Sequence, residues 1–301
     1  MKIGLTLNDL ATVRDDAERA ESLGFDYVAA GEHLFFHGPT PNAFVMLAAA
    51  AGATERIRLL SAITLLPLYP AALAAKMASA LDVVSDGRFD LGIGAGGEFP
   101  PEFEAVGVDP DTRFRRIDEA ISLMRRLFTG ESVDFSGEFT RLAARLQPPP
   151  VQPGGPPIWL AGRKPGGIRR AARFADVWMP YMVSVPSFQT GYEQVTVAAA
   201  EAGRDPSSIA GAVYAFVCVD PDRGWAREQG IAKVSAAYRQ DFTPLADKYL
   251  LLGTPEDVIE RVEEYRAAGA DRMILNIAAE PAHQRRVTET LATKVLPQLR
   301  R

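Results

Sequence analysis

The residues best suited to chemistry are the adjacent pair Glu32-His33. An imidazole titrates nearer neutral pH than any other side chain, and a neighbouring carboxylate can orient it and stabilise its charged form. The pair ends an apolar run, Tyr27-Val28-Ala29-Ala30, and Phe35 and Phe36 follow. On position alone, proton transfer and a hydrogen-bonded loop histidine are equally good readings. His37 follows His33 at i, i+4, a spacing that suits a metal on a helix. Gly38-Pro39 argues against that helix and no third ligand is evident, so no metal is expected.

Two glycine-bearing segments also invite a ligand. Gly92, Gly94 and Gly97 fit G-x-G-x-x-G, but Pro100-Pro101 follows instead of the helix that a dinucleotide fingerprint must open. The segment reads either as a glycine floor under a flat ring or as a tight turn. Gly162-Arg163-Lys164 precedes a helical pattern through Phe174, so backbone N–H groups and two cations could hold a phosphate. A solvated basic loop is the alternative. No Gly-x-Ser-x-Gly occurs, and Cys218 lies in a β-type run, so nucleophilic Ser or Cys catalysis has no support.

These residues need elements to place them. Eight β-type runs begin near Lys2, Tyr27, Ile57, Phe89, Ile158, Val177, Val213 and Arg272. Several lack polar alternation, as strands covered on both faces do. Helical patterns lie between them. The helix from Pro255 carries Val258, Val262 and Tyr265 as a core stripe, Thr254 as N-cap and Gly269 as its stop. Leu23-Gly24-Phe25-Asp26 and Ala268-Gly269-Ala270-Asp271 repeat one helix-to-strand junction. Repeated βα units predict parallel strands with right-handed crossovers, and eight of them predict an α/β (β/α)₈ TIM barrel. The gaps after the fourth and seventh strands are too long for one unit, so insertions are expected over 133–157 and 220–248. One domain spanning 1–301 is expected.

Barrel chemistry collects where strands end. That rule selects Asn8, Glu32, His33, Thr64, Ala95, Gly96, Glu98, Ala161, Gly162, Arg163 and Asn276. With 33 basic and 38 acidic residues the net charge is −5, which excludes a generic nucleic-acid binder. A single cysteine excludes a disulfide framework. The start shows no signal-peptide layout and no apolar run reaches membrane-spanning length, so a cytoplasmic protein with no membrane partner is expected. The alanine runs at 48–51 and 71–80 suit helix packing or a homodimer interface.

Several runs resemble the bacterial luciferase-like oxidoreductases over most of the chain. They are Ala20-Glu21-Ser22-Leu23-Gly24-Phe25-Asp26 leading to Glu32-His33, Leu81-Asp82-Val83-Val84-Ser85-Asp86-Gly87-Arg88-Phe89, Leu91-Gly92-Ile93-Gly94-Ala95-Gly96, Glu102-Phe103, and Ala171 to Trp178. The resemblance implies a barrel that binds coenzyme F420 or FMN at its C-terminal mouth. In its deazaflavin branch the acid and histidine after the second strand map to Glu32 and His33. A non-proline cis peptide after the third strand would fall at Ile63–Thr64, and the phosphate loop at Ala161, Gly162 and Arg163. The family's catalytic Glu beyond the fourth strand falls nearest Glu98, offset by one, while Glu102 matches a family Glu with a structural duty. The expected function is hydride transfer between F420 and a small organic substrate. The alternatives are an FMN-dependent monooxygenase using O₂ and a non-catalytic flavin-binding barrel.

Overall fold

The computed structural model describes residues 1–300. Eight parallel strands form where the apolar runs predict them: β1 (Lys2–Thr6), β2 (Tyr27–Ala30), β3 (Arg58–Ser61), β4 (Phe89–Gly94), β5 (Ile158–Leu160), β6 (Val177–Trp178), β7 (Ala210–Val219) and β8 (Ala270–Ile277). The sheet order is β7-β8-β1-β2-β3-β4-β5-β6, with β6 returning to β7. That is the strand order of an α/β (β/α)₈ barrel, the fold class expected. The helices between them include Val13–Ser22, Ala43–Ala53, Ala71–Val84, Arg113–Leu127, Pro165–Phe174, Val185–Glu201, Pro255–Ala267 and Pro281–Thr290. None of the described helices is long and apolar enough to cross a membrane.

The residues group into two compact units. One comprises Met1–Leu7, Arg19–Val28 and the chain from Ala161. Here β1 pairs with β8 at Ile3 and Met273, and β7 pairs with β8 at Val213 and Met273. A further strand, Leu250–Gly253, extends the outer half of β7. Thr254 caps the Pro255 helix through a reciprocal box with Asp257, which satisfies two of its free N–H groups.

The other unit comprises Asn8–Glu18 and Ala29–Leu160. In it β3 pairs with β4 at Leu59 and Phe89, and β4 with β5 at Leu91 and Ile158. The conspicuous glycines of β4 serve packing. A Cβ at Gly92 would lie 1.9 Å from the Ser61 carbonyl oxygen, and one at Gly94 would lie 1.8 Å from Ile63 Cδ1. The Leu81–Phe89 run is likewise scaffold. Fully buried Asp82 accepts from Val151 N at 2.7 Å, Gln152 N at 3.0 Å and Gln152 Nε2 at 2.7 Å. Arg88 donates to the carbonyls of Ala51, Thr54, Ile57 and Ser85, so it satisfies the open C-terminal ends of two helices.

The insertion after β4 is more ordered than its proline content predicts. Ser132–Ser136 and Arg141–Arg145 form an antiparallel hairpin. Ser132–Ser136 alternates, with Val133 buried and Phe135 half-buried between exposed polar residues, whereas Arg141–Arg145 is mostly exposed and shows no such alternation. Glu119 of the Arg113 helix holds the turn by accepting from Glu138 N and Phe139 N. The insertion after β7 contains the helix Arg223–Tyr238. The non-proline cis peptide is Ala62–Ile63, one residue before the expected Ile63–Thr64. The strand Thr64–Leu65 begins just past it, with Thr64 already registered against Ile93.

Candidate active site

Glu32 and His33 follow β2 directly, yet their side chains serve different partners. Glu32 is buried and accepts from Leu65 N at 2.9 Å, Tyr69 Oη at 3.0 Å, Ala43 N at 3.2 Å and Asn42 Nδ2 at 3.3 Å. Asn42 also donates to Tyr69 Oη at 2.8 Å and caps the Ala43 helix by accepting from Val45 N. Burial pushes the Glu32 carboxyl above its usual range, while the hydrogen bonds from Leu65, Ala43 and Tyr69, and the nearby His33, pull it back. Burial and the Glu32 charge raise the Tyr69 phenol. Glu32 is therefore a clamp that gathers residues 42–43, 65 and 69 around the end of β2. With its acceptor sites engaged, it orients the loop rather than the imidazole.

The carboxylate that holds His33 is Glu102, on the short helix Pro101–Ala105. Its two oxygens lie 3.2 and 3.1 Å from His33 Nδ1. Glu102 is fully buried and also accepts from Leu34 N at 2.6 Å and Phe35 N at 3.3 Å. An ionised carboxylate only accepts hydrogen bonds, so the network assigns the Nδ1 proton to His33. Nε2 is then the atom free to exchange a proton. The imidazole stacks on Phe36, with centroids 4.2 Å apart and planes 19° apart. Phe99 and His37 complete the aromatic cluster around Phe36. The His33 side chain keeps 20% of its surface exposed, which leaves a ligand room to reach it.

The other expected site residues of this unit lie near strand ends. Glu98 is exposed, and so is Asn8. Ala95 and Gly96 are half-buried just past β4, with Gly96 in a left-handed conformation at φ 62°. Ile63 is half-buried against Gly94. Thr64 is fully buried and its hydroxyl oxygen finds no hydrogen-bond partner. Such an orphan group is uncommon in a finished core.

The second unit holds the expected phosphate loop. Ala161 and Gly162 are half-buried and Arg163 is exposed. Gly162 takes φ 123° and packs on Gly167, where a Cβ would lie 2.9 Å from the Gly162 Cα. Arg163 donates to the carbonyls of Tyr181 and Met182, which fixes its guanidinium. Lys164 opens the Pro165 helix without a side-chain cap. A cavity of about 260 Å³ is lined by Arg163, Trp178, Met182, Ser184, Ser187 and Tyr249. A guanidinium fixed beside two serines suits an anionic group. Asn276, in β8, donates to Tyr214 Oη at 2.9 Å.

The fold is a (β/α)₈ barrel with a carboxylate-anchored imidazole at a strand end, a scaffold that serves many chemistries, and the chain matches the luciferase-like monooxygenase family over residues 2–272. It belongs to that family. It is 26% identical to 5,10-methylenetetrahydromethanopterin reductase of Archaeoglobus fulgidus, with 93% of each chain covered. It is 29% identical to F420-dependent glucose-6-phosphate dehydrogenase of Nocardia farcinica, covering 95% of this chain and 93% of that one. Among solved structures, a monooxygenase from Streptomyces bottropensis superposes with TM-score 0.86 at 26% identity, over 99% of this chain and 100% of the other. The protein is a luciferase-like oxidoreductase whose cofactor is a deazaflavin or a flavin. The residues present fit such a group taken unit by unit: the half-buried Ala95-Gly96 backbone is open to a flat ring, and in the other unit the exposed Arg163 suits a phosphate.

Proposed function

We propose that this chain moves a hydride between coenzyme F420 and a small organic substrate, with His33 exchanging the accompanying proton. The observation that carries this reading is the His33–Glu102 pair, in which a buried carboxylate fixes Nδ1 as the donor and leaves Nε2 to the substrate. The Nocardia farcinica relative, which is F420-dependent and aligned over nearly the whole chain, supports the choice of coenzyme. When bound, the coenzyme supplies the hydride donor or acceptor. The chain's residues do the rest. Arg163 and the Pro165 helix terminus would hold a phosphate, Ile63, Ala95 and Gly96 would bear on the ring, and buried Thr64 would back them. His33 Nε2 takes a proton from a substrate hydroxyl or returns one to a carbonyl oxygen. Glu102 stabilises the imidazolium that results. Glu32 holds the loop on which His33 stands.

Anaerobic titration of the protein with F420 and with reduced FMN tests the coenzyme. Saturable F420 binding that weakens in Arg163→Gln is expected. Tight binding of reduced FMN with none of F420 refutes the reading. A second reading is an FMN-dependent monooxygenase, whose oxygenase part the likeness to the Streptomyces bottropensis monooxygenase favours, and it predicts oxygen consumption with reduced FMN and a substrate. A His33 variant that changes no redox assay would point instead to a non-catalytic flavin-binding barrel.

A further inference from the structure

The Pro165–Phe174 helix and the loop before it carry more positive charge than one phosphate calls for. Arg163, Lys164, Arg169, Arg170 and Arg173 follow closely on one another, and no Asp or Glu occurs between Glu138 and Asp176. The chain as a whole is acidic, at −5. Ile168, Ala171 and Ala172 form the buried face of the helix, so Arg169 and Arg173, four residues apart, share its exposed face. They stand about 6 Å apart along the axis. Among the described residues no carboxylate pairs with Arg163, Lys164, Arg169 or Arg173. Elsewhere in the same unit arginines are neutralised, Arg223 by Asp257, Arg227 by Asp247 and Arg261 by Glu264. Neighbouring like charges on a helix repel, and a bound polyanion would relieve that repulsion.

The first turn of this helix is bare. Gly167 is required there, since a Cβ would come within 2.9 Å of the Gly162 Cα. Gly166 is not required by packing, because a Cβ there would meet nothing within 4 Å. Glycine weakens a helix relative to alanine, so its presence at an open position has no structural return. Between Lys164 and Arg169 it leaves a strip of backbone over which an extended ligand can pass.

We infer that the outer face of this helix, with Lys164, Arg169 and Arg173, binds the oligoglutamate tail of coenzyme F420. The inference rests on the F420 reading and deepens it. In that coenzyme the phosphate is a diester, and beyond it the chain continues through a lactyl unit into linked glutamates, each with a free carboxylate. FMN ends at its phosphate. A phosphate held at Arg163 therefore leaves the F420 tail to be placed, and the row of unpaired cations begins beside it. Exposed cations along a helix match serial carboxylates by charge, so each contact is modest and salt-sensitive. All the residues concerned belong to one compact unit.

Calorimetric titration of the full chain with F420 lacking glutamates, F420 carrying several, and reduced FMN tests this at low and high salt. The long-tailed form should bind roughly 2- to 30-fold more tightly than the form without glutamates, as two exposed ion pairs allow. High salt should abolish that preference. The double variant Arg169→Gln, Arg173→Gln should lower the affinity for the long-tailed form to that for the form without glutamates, and leave the latter unchanged. Equal affinities of the two forms in the wild type, a preference that high salt leaves intact, or a double variant that keeps the preference would overturn the inference. Should the double variant fail to fold, the salt dependence of the preference in the wild type decides it. F420 binding with no gain from the tail leaves the hydride-transfer reading standing and removes only the tail site. Binding of reduced FMN with neither form of F420 removes both.

Discussion

Replacing Glu102 with Gln keeps the shape of the side chain and removes its charge. In the wild type the buried carboxylate serves three donors: His33 Nδ1 at 3.1 Å, Leu34 N at 2.6 Å and Phe35 N at 3.3 Å. A glutamine has one oxygen to offer. If that oxygen keeps the two backbone groups, the amide NH₂ faces His33 and Nδ1 must become an acceptor. The imidazole proton then moves to Nε2, the atom that should receive the substrate's proton. The lost charge-assisted bond is worth about 1.5–3 kcal/mol, so turnover toward the oxidised substrate should fall roughly 10- to 150-fold. KM should change little, because Glu102 touches no substrate. Anaerobic stopped-flow of hydride transfer, in both directions across pH, measures this. Glu98→Gln, altered at an exposed position, is the matched control and should behave as wild type. Glu102→Gln indistinguishable from wild type would refute the assigned tautomer, and a slow Glu98→Gln would return the catalytic carboxylate to the turn after β4.

Three further perturbations have definite outcomes. Because burial raises the Glu32 carboxyl above 4.5, the folded state binds that proton more tightly than the unfolded chain. The Glu32 contribution is therefore greatest below pH 4.5 and declines as pH rises through the raised value, so the Tm of wild type minus that of Glu32→Gln should fall over that window; a rise contradicts the assignment. Gly92→Ala would drive a methyl to 1.9 Å from the Ser61 carbonyl oxygen and should cost about 3 kcal/mol in chemical denaturation, which an unchanged midpoint would disprove. The helices Ala43–Ala53 and Ala71–Val84 leave Val45, Leu73 and Val84 exposed by 64, 50 and 64%. In the expected homodimer these exposed apolar side chains are the candidates for the contact between copies. Sedimentation should show a dimer that Val45→Glu dissociates, and a monomeric wild type at micromolar concentration rejects it.

The barrel was legible because its strands are buried on both sides. Tyr27–Ala30, Phe89–Gly94 and Ile158–Leu160 are continuous apolar runs, and the largest offset, Val213 against an observed start at Ala210, falls where small residues open β7. The hairpin of the first insertion escaped because only Ser132–Ser136 carries a period of two, while its partner Arg141–Arg145 is mostly exposed and carries none. The glycines of β4 were visible, but their duty was not. A glycine demanded by a neighbour's carbonyl looks the same in sequence as one left bare for a ligand, and only the approach of Ser61 separates the two.

The carboxylates show most clearly where sequence reading stops. Glu32 adjoins His33 in the chain, yet successive residues after a strand point to different sides, and Glu32 turns toward Leu65 and Tyr69. The partner of the imidazole comes from 69 residues away. Glu98 and Glu102 are one helical turn apart in number, so spacing from β4 cannot choose between them. Their surroundings can: Gly97 and Pro100 flank the exposed Glu98 segment, whereas Glu102 precedes buried Phe103 on a short helix, and a carboxylate next to a core aromatic must find donors. Two backbone N–H groups and one imidazole are those donors. The burial that requires them fixes the ring, and it is this constraint, more than nearness in sequence, that makes His33 able to act.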